Sequence, residues 1–131
     1  MDDEIKLRVL VIDDELAIRT WLKGLLTSLG CEIAGEAENG QDGLELFKKE
    51  RPDLTLLDLK MPVMNGVEAL KFILADDPDA HIIMLTSETD PTVIKDSMIA
   101  GVEYYLPKHN SPDKIKATLQ EQLEKIKSNL G

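Results

Sequence analysis

Asp13 and Asp14 stand side by side near the start of the chain, and Asp58, Thr86 and Lys108 follow at wide intervals. Three carboxylates brought to one place repel one another and raise each other's pKa unless a cation lies between them. Hard oxygen donors of this kind, few in number and leaving room for water, suit Mg2+, with Mn2+ as its substitute. Such an ion commonly shares its shell with phosphate oxygens. Lys108 adds a flexible point charge suited to a phosphoryl group, and Thr86 adds a hydroxyl donor. Together they describe a site for phosphoryl transfer. Each residue alone has an ordinary role: Asp14 as a helix cap, Asp58 and Thr86 as strand ends leading into turns, Lys108 as a solvated cation. The chemistry follows only if separate segments deliver all five to one rim.

The spacing of apolar residues supplies such segments. Short β-branched or leucine-rich runs alternate with longer stretches of helical period, the signature of βαβ units stacked on a parallel sheet. The strands read as Leu7–Ile12, Cys31–Ala37, Asp53–Leu57, His81–Thr86 and Val102–Leu106. The first, third and fourth are nearly continuous apolar runs, which predicts central strands covered on both faces. Glu32, Glu36 and Glu38 interrupt the second and Glu103 the fifth, so these two are expected at the edges.

Between the strands, Ile18, Leu22, Leu25 and Leu29 mark one buried helix face, stopped by Gly30. Gln41–Glu50, Val67–Ala75, Pro91–Ala100 and Ser111–Leu130 behave similarly. Pro91 fits a first helical turn, and Ser111-Pro112 a cap followed by proline. The last helix carries Ile115, Leu119, Leu123, Ile126 and Leu130 on one stripe. The expected fold is an α/β open, doubly wound sheet of five parallel strands with five helices. In such sheets ligands sit outside the carboxyl ends of the strands, near the point where strand order reverses. Asp13, Asp14, Asp58, Thr86 and Lys108 all fall at or just beyond those ends.

The 131 residues, 43% of them hydrophobic, fit one domain over 1–131 with a core of about 6–128. A net charge of −10 repels a nucleic-acid backbone, so direct DNA or RNA binding is not expected. No apolar run approaches the ~20 residues that cross a bilayer. The single cysteine, Cys31, reads as a strand residue, and with no apolar leader at Met1-Asp2-Asp3-Glu4 it points to a reducing, cytoplasmic setting.

Val11-Ile12-Asp13-Asp14-Glu15 resembles the acidic pair after the first strand of response-regulator receiver domains. Leu57-Asp58-Leu59-Lys60-Met61-Pro62-Val63-Met64-Asn65-Gly66 resembles that family's phosphoacceptor stretch. The likeness continues through Thr86, Tyr105 and Lys108 and spans essentially the whole chain. It implies a flavodoxin-like (βα)5 fold with strand order 2-1-3-4-5, and a signalling phosphoacceptor of a two-component system rather than a turnover enzyme. Asp58 would accept a phosphoryl group from a phosphohistidine on a histidine kinase or phosphotransfer protein. Asp14, Asp58 and the backbone carbonyl of Lys60 would hold Mg2+, with Asp13 acting through water. Thr86 and Lys108 would engage the phosphoryl group. Tyr105 would turn inward as the switch aromatic, altering a face of the fourth helix, fifth strand and fifth helix that meets a downstream protein.

Lys60 and Glu88 lie two residues beyond the acceptor and the threonine, where the family tunes self-dephosphorylation. Their opposite charges suggest a pair across the mouth of the site. One feature departs from the family: proline precedes the lysine in Leu106-Pro107-Lys108-His109 instead of following it. Either the Lys108–His109 bond is cis, at about 2.5–4 kcal/mol, or the loop takes another path. His109 reads as a solvated loop residue, Trp21 as the rim of the first helix's buried stripe, and His81 has no apparent ligand companions.

Two rivals share the scaffold. A Mg2+-dependent phosphatase with an aspartate nucleophile would place it after the first strand in an Asp-x-Asp pattern. A flavin binder would need a neutral phosphate-cradling loop where Asp13-Asp14-Glu15 stands. A free-standing monomeric component is expected over a transcription factor, because no DNA-binding module follows Gly131; an excised domain and a phosphorylation-dependent dimer stay open.

Overall fold

The three most apolar runs form the middle of a sheet. In the computed structural model, which describes residues 5–130, β1 (Arg8–Ile12), α1 (Leu16–Ser28), β2 (Glu32–Ala37), α2 (Gly40–Glu50) and β3 (Leu54–Leu57) are followed by α3 (Gly66–Asp76), β4 (Ile82–Thr86), α4 (Pro91–Ala100), β5 (Tyr104–Pro107) and α5 (Pro112–Leu130). The strands are parallel, in the order β2-β1-β3-β4-β5. β3 and β4 are buried throughout, and β1 at all but its first residue. β2 and β5 are only partly covered, as expected of edges.

The period of two along each strand divides the apolar residues between two cores. Val9, Val11, Leu54, Leu56, Ile83, Leu85 and Leu106 face one side with Leu22 and Leu26 of α1 and Ile115, Leu119, Leu123 and Ile126 of α5. Leu10, Ile12, Leu57, Ile82 and Met84 face the other, against Leu44 and Phe47 of α2 and Ala69, Leu70 and Ile73 of α3. A single substitution of charge into either set would leave an unpaired polar group between sheet and helix.

The strands begin one or two residues later than the apolar runs predict. Leu7, Cys31 and Val102 are buried without joining a strand, because burial extends past the point where the ladder starts. Burial also pushes the Cys31 thiol up, the behaviour of an inert core residue. Leu130 does not complete the α5 stripe; it is exposed. β5 runs on through Pro107, which pairs with Thr86, and an edge strand tolerates proline.

Helix starts follow local side-chain chemistry. Asn39 Oδ1 accepts from Asp42 N, Asn65 and Glu68 form a capping box, Asp90 caps α4 ahead of Pro91, and Ser111 Oγ accepts from Lys114 N. Glu15 at the start of α1 makes no side-chain cap.

Candidate functional site at the carboxyl rim of the sheet

β1 and β3 are adjacent in register, Ile12 opposite Leu57, so the residues after them, Asp13 and Asp58, emerge together. Asp58 N donates to Ile12 O at 3.0 Å and Asp13 N to Ala37 O at 3.0 Å. Both carboxyl residues are 2% exposed, while Asp14 is open to solvent. One oxygen from each of Asp13, Asp14 and Asp58 falls within a 4.8 Å cluster.

Asp58 meets a different group on each oxygen. Oδ1 accepts from Thr86 Oγ1 at 2.7 Å and from Lys60 N at 3.2 Å; Oδ2 accepts from Lys108 Nζ at 3.0 Å. Thr86, fully buried at the end of β4, also receives Glu88 N at 3.1 Å and Leu59 N at 3.5 Å. Its hydroxyl therefore ties the ends of β3 and β4 to one carboxylate.

Lys108 reaches the site because β5 extends one residue further than predicted. Lys108 N donates to Thr86 O at 2.9 Å, and every peptide bond among the described residues is trans. The loop thus follows the second of the two expected paths, with no cis bond at His109. From there Nζ contacts Glu15 Oε1 at 2.7 Å, Asp13 Oδ2 at 2.9 Å and Asp58 Oδ2 at 3.0 Å. Burial alone would pull the ammonium pKa down. Hydrogen bonds to Glu15, Asp13 and Asp58, with the charge of Asp58, outweigh it and hold the pKa above the usual lysine value. Asp13 moves upward because it is buried, an effect that the Glu15 N–H and Lys108 only partly offset.

The donor set fits a hard divalent cation. Asp13 Oδ2 is buried and, despite its contact with Lys108, receives no aligned hydrogen bond. A buried carboxylate oxygen held only by the Lys108 ammonium, beside two further carboxylates, is a position that a divalent cation can share. The backbone of Lys60 lies against Asp58 through its N–H, while its side chain points to solvent.

The expected Lys60–Glu88 pair is not formed. Glu88 Oε2 accepts from Thr89 N at 3.0 Å and Asp90 N at 2.9 Å, because free backbone N–H groups at the entry to α4 lie nearer than a solvated lysine. Tyr105 is half-buried, and its hydroxyl donates to Glu88 O at 2.8 Å. Burial, then the Glu88 charge, raises its pKa. His109 is exposed, and His81 contacts Glu103 before β4, at the far end of the sheet from the acidic cluster.

Some participants carry no sequence signal strong enough to find. Arg19 Nη1 donates to Asp13 O at 2.8 Å, and Arg19 Nε is held by Glu36 at 2.8 Å, a support visible only once α1 lies beside β2. Gly66, the last residue of the acceptor stretch, has a spatial reason. A Cβ there would lie 2.1 Å from Asp58 O and 2.5 Å from Leu59 Cα, so α3 starts directly against the acceptor's backbone. Glu15 follows the acidic pair in sequence, but only the fold brings its carboxylate to Lys108.

Residues 9–120 match the family model described as the response regulator receiver domain. The chain is 35% identical over 114 residues to the chemotaxis protein CheY of Thermotoga maritima, covering 87% of this chain and 95% of that protein. A CheY-like receiver domain of Methanospirillum hungatei superposes with a TM-score of 0.86 at 28% identity, over 95% of this chain and 99% of that one. The CheX–CheY–BeF3–Mg complex of Borrelia burgdorferi gives 0.84 at 26% identity, over 93% and 90%. The order β2-β1-β3-β4-β5, the acidic cluster beyond β1 and β3 and these likenesses place the chain in the response regulator receiver domain family, the phosphorylation-activated switches of two-component signalling.

Proposed function

We propose that Asp58 is the phosphoacceptor and that it takes its phosphoryl group from a phosphohistidine on a histidine kinase or phosphotransfer protein. The carrying observation is the surroundings of Asp58: a buried carboxylate with a hydroxyl on one oxygen, an ammonium on the other and two further carboxylates beside it. An Asp58 oxygen forms the new O–P bond while the P–N bond to imidazole breaks and its electron pair returns to the ring nitrogen. Such transfer demands positioning and charge neutralisation more than covalent work.

Asp14, Asp58 and the Lys60 carbonyl would hold Mg2+, or Mn2+ in its place, with Asp13 acting through water. Bound there, the ion would supply positive charge against the negative charge that spreads over the transferred oxygens. Lys108 gives the phosphoryl group a mobile positive charge, and Thr86 gives it a hydroxyl donor.

Thr86 holds Glu88 N, and Glu88 O holds Tyr105. A Thr86 drawn toward the phosphoryl group loosens the loop that anchors the tyrosine, and Tyr105 turns inward. The face of α4, β5 and α5 then changes for a downstream protein. The Borrelia CheY, in complex with CheX, beryllofluoride and Mg2+, supports a protein partner and a metal-assisted phosphoryl state here. Lys60 and Glu88 would tune the decay of the acyl phosphate separately rather than as a pair. In this reading the chain is a cytoplasmic, monomeric phosphoacceptor rather than a turnover enzyme. Among the described residues no helix is long and apolar enough to cross a membrane.

Acetyl phosphate with Mg2+ tests the reading. One acid-stable but base-labile phosphoryl group per chain, absent from Asp58→Asn, is expected. Equal labelling of Asp58→Asn, or multiple-turnover hydrolysis of a generic phosphate ester, would overturn it.

A further inference from the structure

Lys108 has three N–H donors, and three carboxylates already surround it. Asp13 and Asp58 belong to the acidic cluster, so the ammonium lies where a divalent ion would compete for the same oxygens. The third, Glu15, lies outside that cluster and is exposed, yet gives the shortest contact, 2.7 Å.

Glu15 is also the residue before the first turn of α1, where a short polar side chain ordinarily accepts from the helix's free N–H groups. Its carboxylate makes no such bond. Its backbone N–H instead donates to Asp13 Oδ1 at 2.8 Å, so one residue links the buried carboxylate of β1 to the lysine beyond β5. A side chain that forgoes the helix end and reaches across 93 positions in sequence is directed at the ammonium.

We propose that Glu15 is a positioning residue that receives the Lys108 ammonium when a divalent cation engages Asp58 directly and Asp13 through water, and later yields it to the phosphoryl group. This rests on the phosphoacceptor reading above. Releasing Glu15 costs less than releasing Asp13, because water resolvates an exposed carboxylate and cannot reach a buried one. Glu15 therefore eases metal entry and competes with the incoming dianion.

Glu15→Gln keeps the shape and removes the charge. Its Mg2+ affinity, measured by calorimetry without any phosphodonor, is expected to fall roughly two- to fivefold, the range of a partly exposed ion pair. Beryllofluoride affinity at saturating Mg2+ is expected to rise by a similar factor. The same substitution in a Lys108→Met background separates this role from the loss of one negative charge near the site. With the ammonium gone, Glu15→Gln should leave Mg2+ affinity within error of the Lys108→Met parent. An equal loss with and without Lys108, or no change in either ligand on Glu15→Gln alone, overturns the proposal. A wild-type chain that binds neither Mg2+ nor beryllofluoride would refute the phosphoacceptor reading itself, and this role with it.

Discussion

Thr86 and Tyr105 are joined through a single residue: Glu88 donates its N–H to Thr86 Oγ1 at 3.1 Å and accepts the Tyr105 hydroxyl on its carbonyl at 2.8 Å. A shift of the Thr86 hydroxyl therefore acts on the anchor of the tyrosine through one peptide segment, without any change in the core behind it.

Thr86→Val keeps the side-chain shape and deletes the hydroxyl. It leaves the N–H groups of Leu59 and Glu88 without their acceptor and removes a donor from Asp58. Urea unfolding should show a loss of about 1–3 kcal/mol, the cost of unsatisfied buried groups. Beryllofluoride with Mg2+ should still bind, but the Tyr105 ring resonances should no longer shift.

Gly66→Ala places a methyl group 2.1 Å from the Asp58 carbonyl oxygen. Neither backbone can move without displacing the acceptor or the start of α3. We expect a loss of about 1–3 kcal/mol in thermal unfolding, with slower labelling by acetyl phosphate. A wild-type labelling rate in this variant would contradict the tight approach of α3.

Mg2+ should raise the thermal midpoint in proportion to its occupancy, as any ligand of the native state does, and a chelator should reverse the shift. Asp13→Asn removes the buried oxygen that lacks an aligned donor. The Mg2+-dependent shift should shrink strongly in this variant, as measured by differential scanning fluorimetry.

Glu36 provides a pH test away from the acceptor. Hydrogen bonds from Lys23 first, then Arg19, hold its carboxyl below the usual range. A depressed carboxyl pKa gives stability that is present above the unfolded-state pKa and lost as pH falls through the folded-state value. Glu36→Gln should therefore cost up to about 1 kcal/mol at pH 7. The difference from wild type should narrow once both chains are measured below the carboxylate range.

Val63 adopts φ 68° and is 81% exposed, a left-handed conformation that β-branched residues resist. Val63→Asn, which tolerates that region, should stabilise the domain by about 1 kcal/mol in urea unfolding. An unchanged midpoint would mean that the loop relaxes freely around residue 63.

The chain's apolar periodicity was enough to give the alternation of strands and helices, the central places of β1, β3 and β4, and the edges. Alternation and helical stripes record which side of a backbone meets the sheet, and that information is local. Asp13, Asp14, Asp58, Thr86 and Lys108 were legible for a related reason: residues at the carboxyl ends of parallel strands share a rim whatever the strand order. The Lys60–Glu88 pair was inferred from charge alone and does not form, because nearby backbone N–H groups claim Glu88 first. The carboxylate at Glu15, the guanidinium at Arg19 and the missing Cβ at Gly66 acquire meaning only when α1, β2 and α3 close around the acceptor. Sequence order carries the residue types and the repeating faces; only the folded chain sets which oxygen lies within 3 Å of which nitrogen. Hydrogen bonds and ion pairs fall off over a few ångströms, and a string of residues does not fix distances that short between segments so far apart along it.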